Sequence, residues 1–225
     1  FPPMPVSSPQ DGILLNAAEF KEMIQQVAFA ASTDEARMVL QGVHMSLEGD
    51  QLTMAATDGF RISVRKARLA EPVQEKLTAI IPARALSELA RIASDGEEKI
   101  RMILPPERGQ VMFILKDSEL DSQLVEGNFP DFNAVIPQSF KTTTVLTTSA
   151  LHKACRQAEI IARDGNNVIR LNIKPGDEQE PGKVEISAQS EETGSSENFV
   201  DAAVEGNALA IAFNVRFLRE ALDAI

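Results

Sequence analysis

Tryptophan and tyrosine are absent from this chain, and it has one cysteine and two histidines. Each shortage removes a class of explanation. Without Trp or Tyr, a nucleic-acid reader that stacks bases on aromatic platforms is not expected. The lone Cys155 excludes a disulfide framework and fits a reducing cytoplasm. No His/Cys/Asp set occurs at ligand spacing, so no metal is expected, and with no Walker loop and no GxGxxG no other cofactor is expected either. No apolar run approaches ~18 residues, which argues against a membrane span. The opening FPPMPVSSPQDG lacks a charged n-region and an apolar h-region, so it is not a signal peptide. Its proline density reads as a stiff linker over residues 1–12, arriving from something upstream.

The chain does contain a duplication. Residues 16–31 (NAAEFKEMIQQVAFAA) parallel residues 147–162 (TTSALHKACRQAEIIA) about 131 positions later. Phe20 falls on Leu151, Ile24 on Cys155, Phe29 on Ile160 and Ala30 on Ile161. LTMAA at 52–56 meets VEISA at 184–188, and IIPARALSEL at 80–89 meets IAFNVRFLREAL at 211–222. With 44% of residues apolar, single matches are cheap, but a spacing held across three blocks is not. A domain-sized repeat implies stacked or closed modular units more than a single-pocket catalyst. For 225 residues this predicts two α+β domains, each with two helices packed on antiparallel sheets, over 13–137 and 138–225. The second copy stops short of the first by roughly 40 residues, so the chain reads as cut within that copy.

Each copy opens on an amphipathic helix, with Phe20, Met23, Ile24 and Val27 matched by Leu151, Ala154, Cys155 and Ala158. Asn16 and Thr147 or Thr148 are the expected N-caps. In the first copy, strands are expected at 39–47, 51–55, 60–68, 77–81, 99–104 and 110–116. Turns are expected at 48–50 and 105–109, and a second helix at 83–93, stopped near Asp95–Gly96. His44 in its alternating strand is expected to face solvent or a sheet edge. His152, beside Lys153, suits a phosphate contact better than general-base work.

The net charge of -11 counts against nucleic acid only if the charge is evenly spread. It is not. Glu178, Glu180, Glu185, Glu191, Glu192 and Glu197 crowd one region, and Arg61, Arg65, Lys66 and Arg68 another. The segments 175–182 and 191–197 read as polar surface loops. Lys153, Arg156 and Arg163 share a helix, Arg84 and Arg91 lie on a second, and Arg216 and Arg219 lie at the matching place in copy two. Either these are solvated outer faces, or equivalent helices present cations to one polyanion backbone in a salt-sensitive, sequence-independent way.

ATDGFRIS at 56–63 holds a turn signature in which Asp58 bonds its own backbone and Gly59 takes a positive φ. Two readings compete. Asp58 could be a carboxylate base beside Arg61, which would make a hydrolase or transferase, or it could simply shape the turn between two strands. Cys155 sits on the apolar stripe of its helix and reads as a core thiol. No coherent catalytic site emerges, so an enzyme is not expected.

FPPMP at 1–5, FAASTDEARMVLQGV at 29–43, ATDGFRIS, IIPARALSEL, LVEGNFPDF at 124–132 and IAFNVRFLREAL together resemble the β subunit of bacterial DNA polymerase III, the replicative sliding clamp. The resemblance implies a DNA clamp fold, with this chain as the middle domain and most of the third. It implies a cytoplasmic, non-enzymatic processivity factor of the polymerase holoenzyme, whose homodimer closes head to tail around duplex DNA. Alone, without a first domain, this chain is not expected to close such a ring. The catalytic subunit, the clamp loader and repair proteins would insert short linear motifs of the Gln-x-x-Leu-Phe type into a cleft between the two domains. Cleft positions implied are Leu40, Thr57, Gly59, Arg61, Ile62, Pro130, Val135, Asn214 and Phe217, and DNA-facing positions are Arg37, Met38, Arg84, Lys153 and Arg156. Phe60 stands where many relatives carry another residue. An interaction scaffold of the same fold with no DNA role is the alternative.

Overall fold

The computed structural model describes residues 12–94, 96, 98–105, 109–178 and 180–225. The expected linker up to residue 11, Asp95 of the helix stop, residues 106–108 of the turn and Gln179 of the acidic loop lie outside the described residues. Two compact units result, Phe1–Asn133 and Ala134–Ile225.

In the first unit Asn16 ends strand β1 (Ile13–Asn16) and caps helix α1 (Ala17–Ala28), its side chain accepting the Glu19 N–H at 3.0 Å. That bond satisfies one of the donors a helix start leaves unpaired. Phe20, Met23, Ile24 and Val27 are buried as their spacing requires. Strands β2 (Gly42–Glu48), β3 (Gln51–Thr57), β4 (Ile62–Arg68) and β5 (Leu77–Pro82) form an antiparallel sheet in the order β4-β3-β2-β5. Helix α2 (Ala83–Ile92) follows and buries Leu86, Leu89 and Ala90. A second sheet, β1-β6-β7-β8, adds β6 (Lys99–Ile103), β7 (Gln110–Ile114) and β8 (Glu119–Gln123). Residues of both sheets and both helices share one core, with the Phe20 and Phe113 rings 6.0 Å apart at its centre. Each fully buried side chain of this size contributes about 1.5–3 kcal/mol.

Several expected boundaries shift, each for a local reason. The strand expected at 39–47 begins only at Gly42, because Met38–Gln41 winds as a 3-10 helix. Its Leu40 carbonyl accepts the Ser32 N–H at 2.8 Å and closes the preceding loop. The strand expected from Phe60 begins at Ile62, since the Asp58 carboxylate takes the N–H groups of Phe60 and Arg61. Strands β6 and β7 end at Ile103 and Ile114, and α1 and α2 end at Ala28 and Ile92, one to three residues early. Strands β1 and β8 were not expected: β1 is only four residues long, and β8 (ELDSQ) carries a single apolar residue.

The second unit repeats the plan. Strand β9 (Thr142–Val145) leads into helix α3 (Thr148–Ala162), with Thr147 at the N-cap position but no side-chain cap bond. Strands β10 (Val168–Lys174), β11 (Lys183–Ser190), β12 (Gly194–Asp201) and β14 (Leu209–Asn214) form a sheet in the order β12-β11-β10-β14, the same order as β4-β3-β2-β5. Strand β13 (Ala203–Gly206) pairs with β9. Helix α4 (Val215–Asp223) follows β14 as α2 follows β5, and Asn214 caps it by accepting the Arg216 N–H at 3.0 Å. The repeat read from sequence is thus a repeat of topology. Among the described residues no helix is long and apolar enough to cross a membrane.

Candidate functional site

The turn between β3 and β4 is braced from several sides. Thr57, itself buried, donates its hydroxyl to the Arg61 carbonyl at 2.6 Å and accepts the Gly59 N–H at 3.0 Å. Gly59 has φ +91, a conformation that a side chain resists. Asp58 uses one carboxylate oxygen for the Phe60 and Arg61 N–H groups, at 2.9 and 3.1 Å, and the other for Arg61 Nε at 3.0 Å. Arg61 also donates Nη2 to the Phe29 carbonyl at 2.9 Å and lays its guanidinium over the Phe29 ring, 5.3 Å from the centroid. From the other side Arg37 donates Nη1 to the Asp58 carbonyl and Nε to Asp34, both at 2.9 Å. The Ala36 N–H and then Arg37 hold the Asp34 carboxyl below its usual range.

This geometry decides between the two readings of Asp58. Both oxygens of its carboxylate are bonded within the turn and to Arg61, so it shapes the loop and is not a poised base. The result is a rigid ledge whose tip, Phe60, is 78% exposed. Leu40 and Ile62 flank it, each partly buried. A stiff backbone beside half-covered apolar side chains can receive an extended peptide at low entropic cost. Pro130 and Val135 are exposed on the segment after β8. In the second unit Asn214 and Phe217 stand at the start of α4, where Asn214 is occupied as the helix cap.

The cations sort into two groups. Arg84 is exposed on α2, Lys153 and Arg156 are exposed on α3, and Met38 is 69% exposed. Arg37 is exposed and also takes part in the turn brace, and Arg91 lies 2.9 Å from Glu88 on its own helix. Arg219 pairs with Glu159, a carboxylate buried between α3 and α4, and Arg163 approaches the same group at 3.9 Å. His152, expected to suit a phosphate, turns its Nε2 to within 2.8 Å of Asp223 on α4, an ion pair only when the ring is protonated. Cys155 is wholly buried, and burial pushes its thiol up to about 11, as a core residue requires.

Sequence reasoning missed two features. Phe29 looked like another helix residue, yet it is the platform for Arg61. His44 does not face solvent: its ring stacks on Phe129, centroids 5.3 Å apart, and tilts against Phe132 at 6.1 Å. The signal was present in the two phenylalanines that flank Pro130, opposite a strand position whose neighbours Val43 and Met45 point into the core.

Comparison with known proteins gives this architecture a family. The profile of the DNA polymerase III beta subunit central domain matches residues 14–131, and that of its C-terminal domain matches residues 133–225. The beta sliding clamp of Bacillus subtilis (strain 168) is 34% identical over 227 residues, covering 100% of this chain and 58% of the relative. The Staphylococcus aureus (strain Mu50) clamp is 38% identical with the same coverage. The crystal structure of the Bacillus subtilis DNA polymerase sliding clamp superimposes with a TM-score of 0.91 at 33% identity, again over 100% of this chain and 58% of that one. The chain therefore spans 58% of the length of these relatives. Its repeated α+β units, its strand order and its matches over the whole length agree: the chain belongs to the DNA polymerase III β subunit family, the bacterial sliding clamps.

Proposed function

We propose that this chain is part of a processivity factor of DNA replication, a homodimeric ring that encircles duplex DNA in the cytoplasm and tethers a polymerase and other proteins to it. It supplies the middle domain and much of the third. Its role is to bind and hold; Asp58 and Arg61 form a brace, and neither acts on a substrate. The observation that carries the reading is the braced Thr57–Arg61 turn beside Leu40 and Ile62, in a chain of clamp-family topology. Partner proteins, among them the clamp loader and repair proteins, would lay a short linear motif along this ledge. Pro130, Val135, Asn214 and Phe217 would complete the cleft. Gly59 admits the partner backbone, and the apolar side chains receive its Leu and Phe.

Exposed Arg37, Arg84, Lys153 and Arg156, with Met38, would face the duplex. A ring that slides needs weak, sequence-independent attraction on its inner face. A net charge of -11 would repel DNA elsewhere.

The test is a fluorescence-anisotropy titration of a labelled Gln-x-x-Leu-Phe peptide into the chain, with Leu40→Ala and Phe217→Ala as controls. Saturable binding weakened by both substitutions is expected. Binding that ignores both would overturn the cleft assignment.

A further inference from the structure

Residues 124–132, which follow β8, lie as a strap along the first unit and are fastened at successive points. The Leu124 N–H reaches the Gly109 carbonyl, and the Val125 N–H the Ile80 carbonyl of β5, both at 2.8 Å. Gly127, with φ +129, packs so closely that an added Cβ would lie 2.6 Å from a Val39 methyl. Then Phe129 and Phe132, on either side of Pro130, close on the His44 ring. His44 lies on the face of β2 opposite the core, because Val43, Met45 and Leu47 take the other. Its Nδ1 is buried and meets no hydrogen-bond partner among the described residues. An imidazole held against two phenyl rings packs there as an apolar plate, and burial favours its neutral form.

We propose that His44 is a positioning residue: it fastens the 124–132 strap to β2, sets the place of Pro130, and releases the strap when it takes up a proton. That Pro130 then matters for partner binding rests on the peptide-cleft reading above. Burial, and next the charge of Lys76, hold the His44 pKa below 6.5. The charged groups around it do not oppose this. Lys76 pairs with Glu48 at 2.8 Å. The cross-strand neighbours Ala55 and Ile80 are uncharged, as is Val64 beyond Ala55, and Lys66 and Arg68 lie farther along that face. On the strap the acids are Glu126 and Asp131, and the Asp131 carboxylate accepts the Asn133 N–H at 3.1 Å.

The sign follows from linkage. The unfolded or released state binds the proton more readily than the packed state, so fastening is complete above about pH 6.5 and weakens as pH falls through the lowered folded value.

The experiment compares the chain with His44→Phe and His44→Ala at pH 7.5 and 5.5. Hydrogen exchange, corrected for the intrinsic pH effect, is read on fragments covering 124–133. The Gln-x-x-Leu-Phe peptide titration is run in parallel. The native chain should exchange faster at pH 5.5 in the strap alone, and bind peptide roughly threefold or more weaker there. His44→Phe, which keeps a ring but cannot be protonated, should be protected at both pH values, and His44→Ala at neither. A native-like pH response in His44→Phe, or full strap protection in His44→Ala, overturns the proposal. If the strap responds as expected but no form binds peptide, the fastening stands and the cleft reading fails.

Discussion

Strands β5 and β14 occupy the same place in their sheets, and each runs into a helix, yet their fates differ. In β5, Ile81 is wholly buried and Ala79 is 7% exposed. In β14, Phe213 and Ile211 at the matching positions are 39% and 38% exposed. The strand sequences do not explain this, since β14 is if anything the more apolar. What differs is the covering layer. The first unit places a second four-stranded sheet and the 124–132 strap around its helix pair, and β5 packs against β8. Among the described residues of this chain, which spans 58% of its relatives' length, the second unit has one four-stranded sheet and the β13–β9 ladder. Over this span of residues, the burial of the two strands follows the layers that cover them and not their own apolar content.

The comparison can be sharpened by substitution. Ile81→Ala should cost about 2–5 kcal/mol, read from urea unfolding, because it empties a closed core. Phe213→Ala should cost clearly less despite the larger side chain, since its ring is already partly in water. Equal losses would break the comparison. Next in size is Arg61→Ala, which leaves the Asp58 carboxylate, 15% exposed, without its ionic partner; about 1–3 kcal/mol is expected. Asn16→Ala and Asn214→Ala each remove a side-chain helix cap, and each should cost about 1 kcal/mol. The smallest effect belongs to Lys76→Met, which breaks an exposed ion pair and should stay within about 0.5 kcal/mol. Cys155 adds a reporter for the second unit alone: buried and with a pKa of about 11, it should resist thiol reagents at pH 8 until that unit opens. Labelling at lower urea than the loss of the Phe20–Phe113 core is expected, and simultaneous loss would show that the two units unfold together.

Much of the fold was legible because its signals are periodic. The i, i+3, i+4, i+7 stripe of Phe20 to Val27, its echo in Leu151 to Ala158 and the capping Asn16 each specify structure locally. The Asp58 turn was legible for the same reason, since its bonds reach only three residues. What sequence could not supply was contact at a distance. Arg61 finds Phe29 across 32 positions, Arg219 finds Glu159 across 60, and His44 meets two rings more than 80 residues away. Residues 38–41 misled because Val39 and Leu40 are both partly covered, so an apolar pair in a 3-10 turn imitated the start of a strand.

The most direct test of the account is hydrogen exchange of the chain with and without a saturating Gln-x-x-Leu-Phe peptide. The account predicts slowed exchange in two separate places, residues 57–62 on the braced turn and residues 214–217 at the start of α4. Protection confined to one unit, or lying only on other surfaces, would contradict the proposed peptide site.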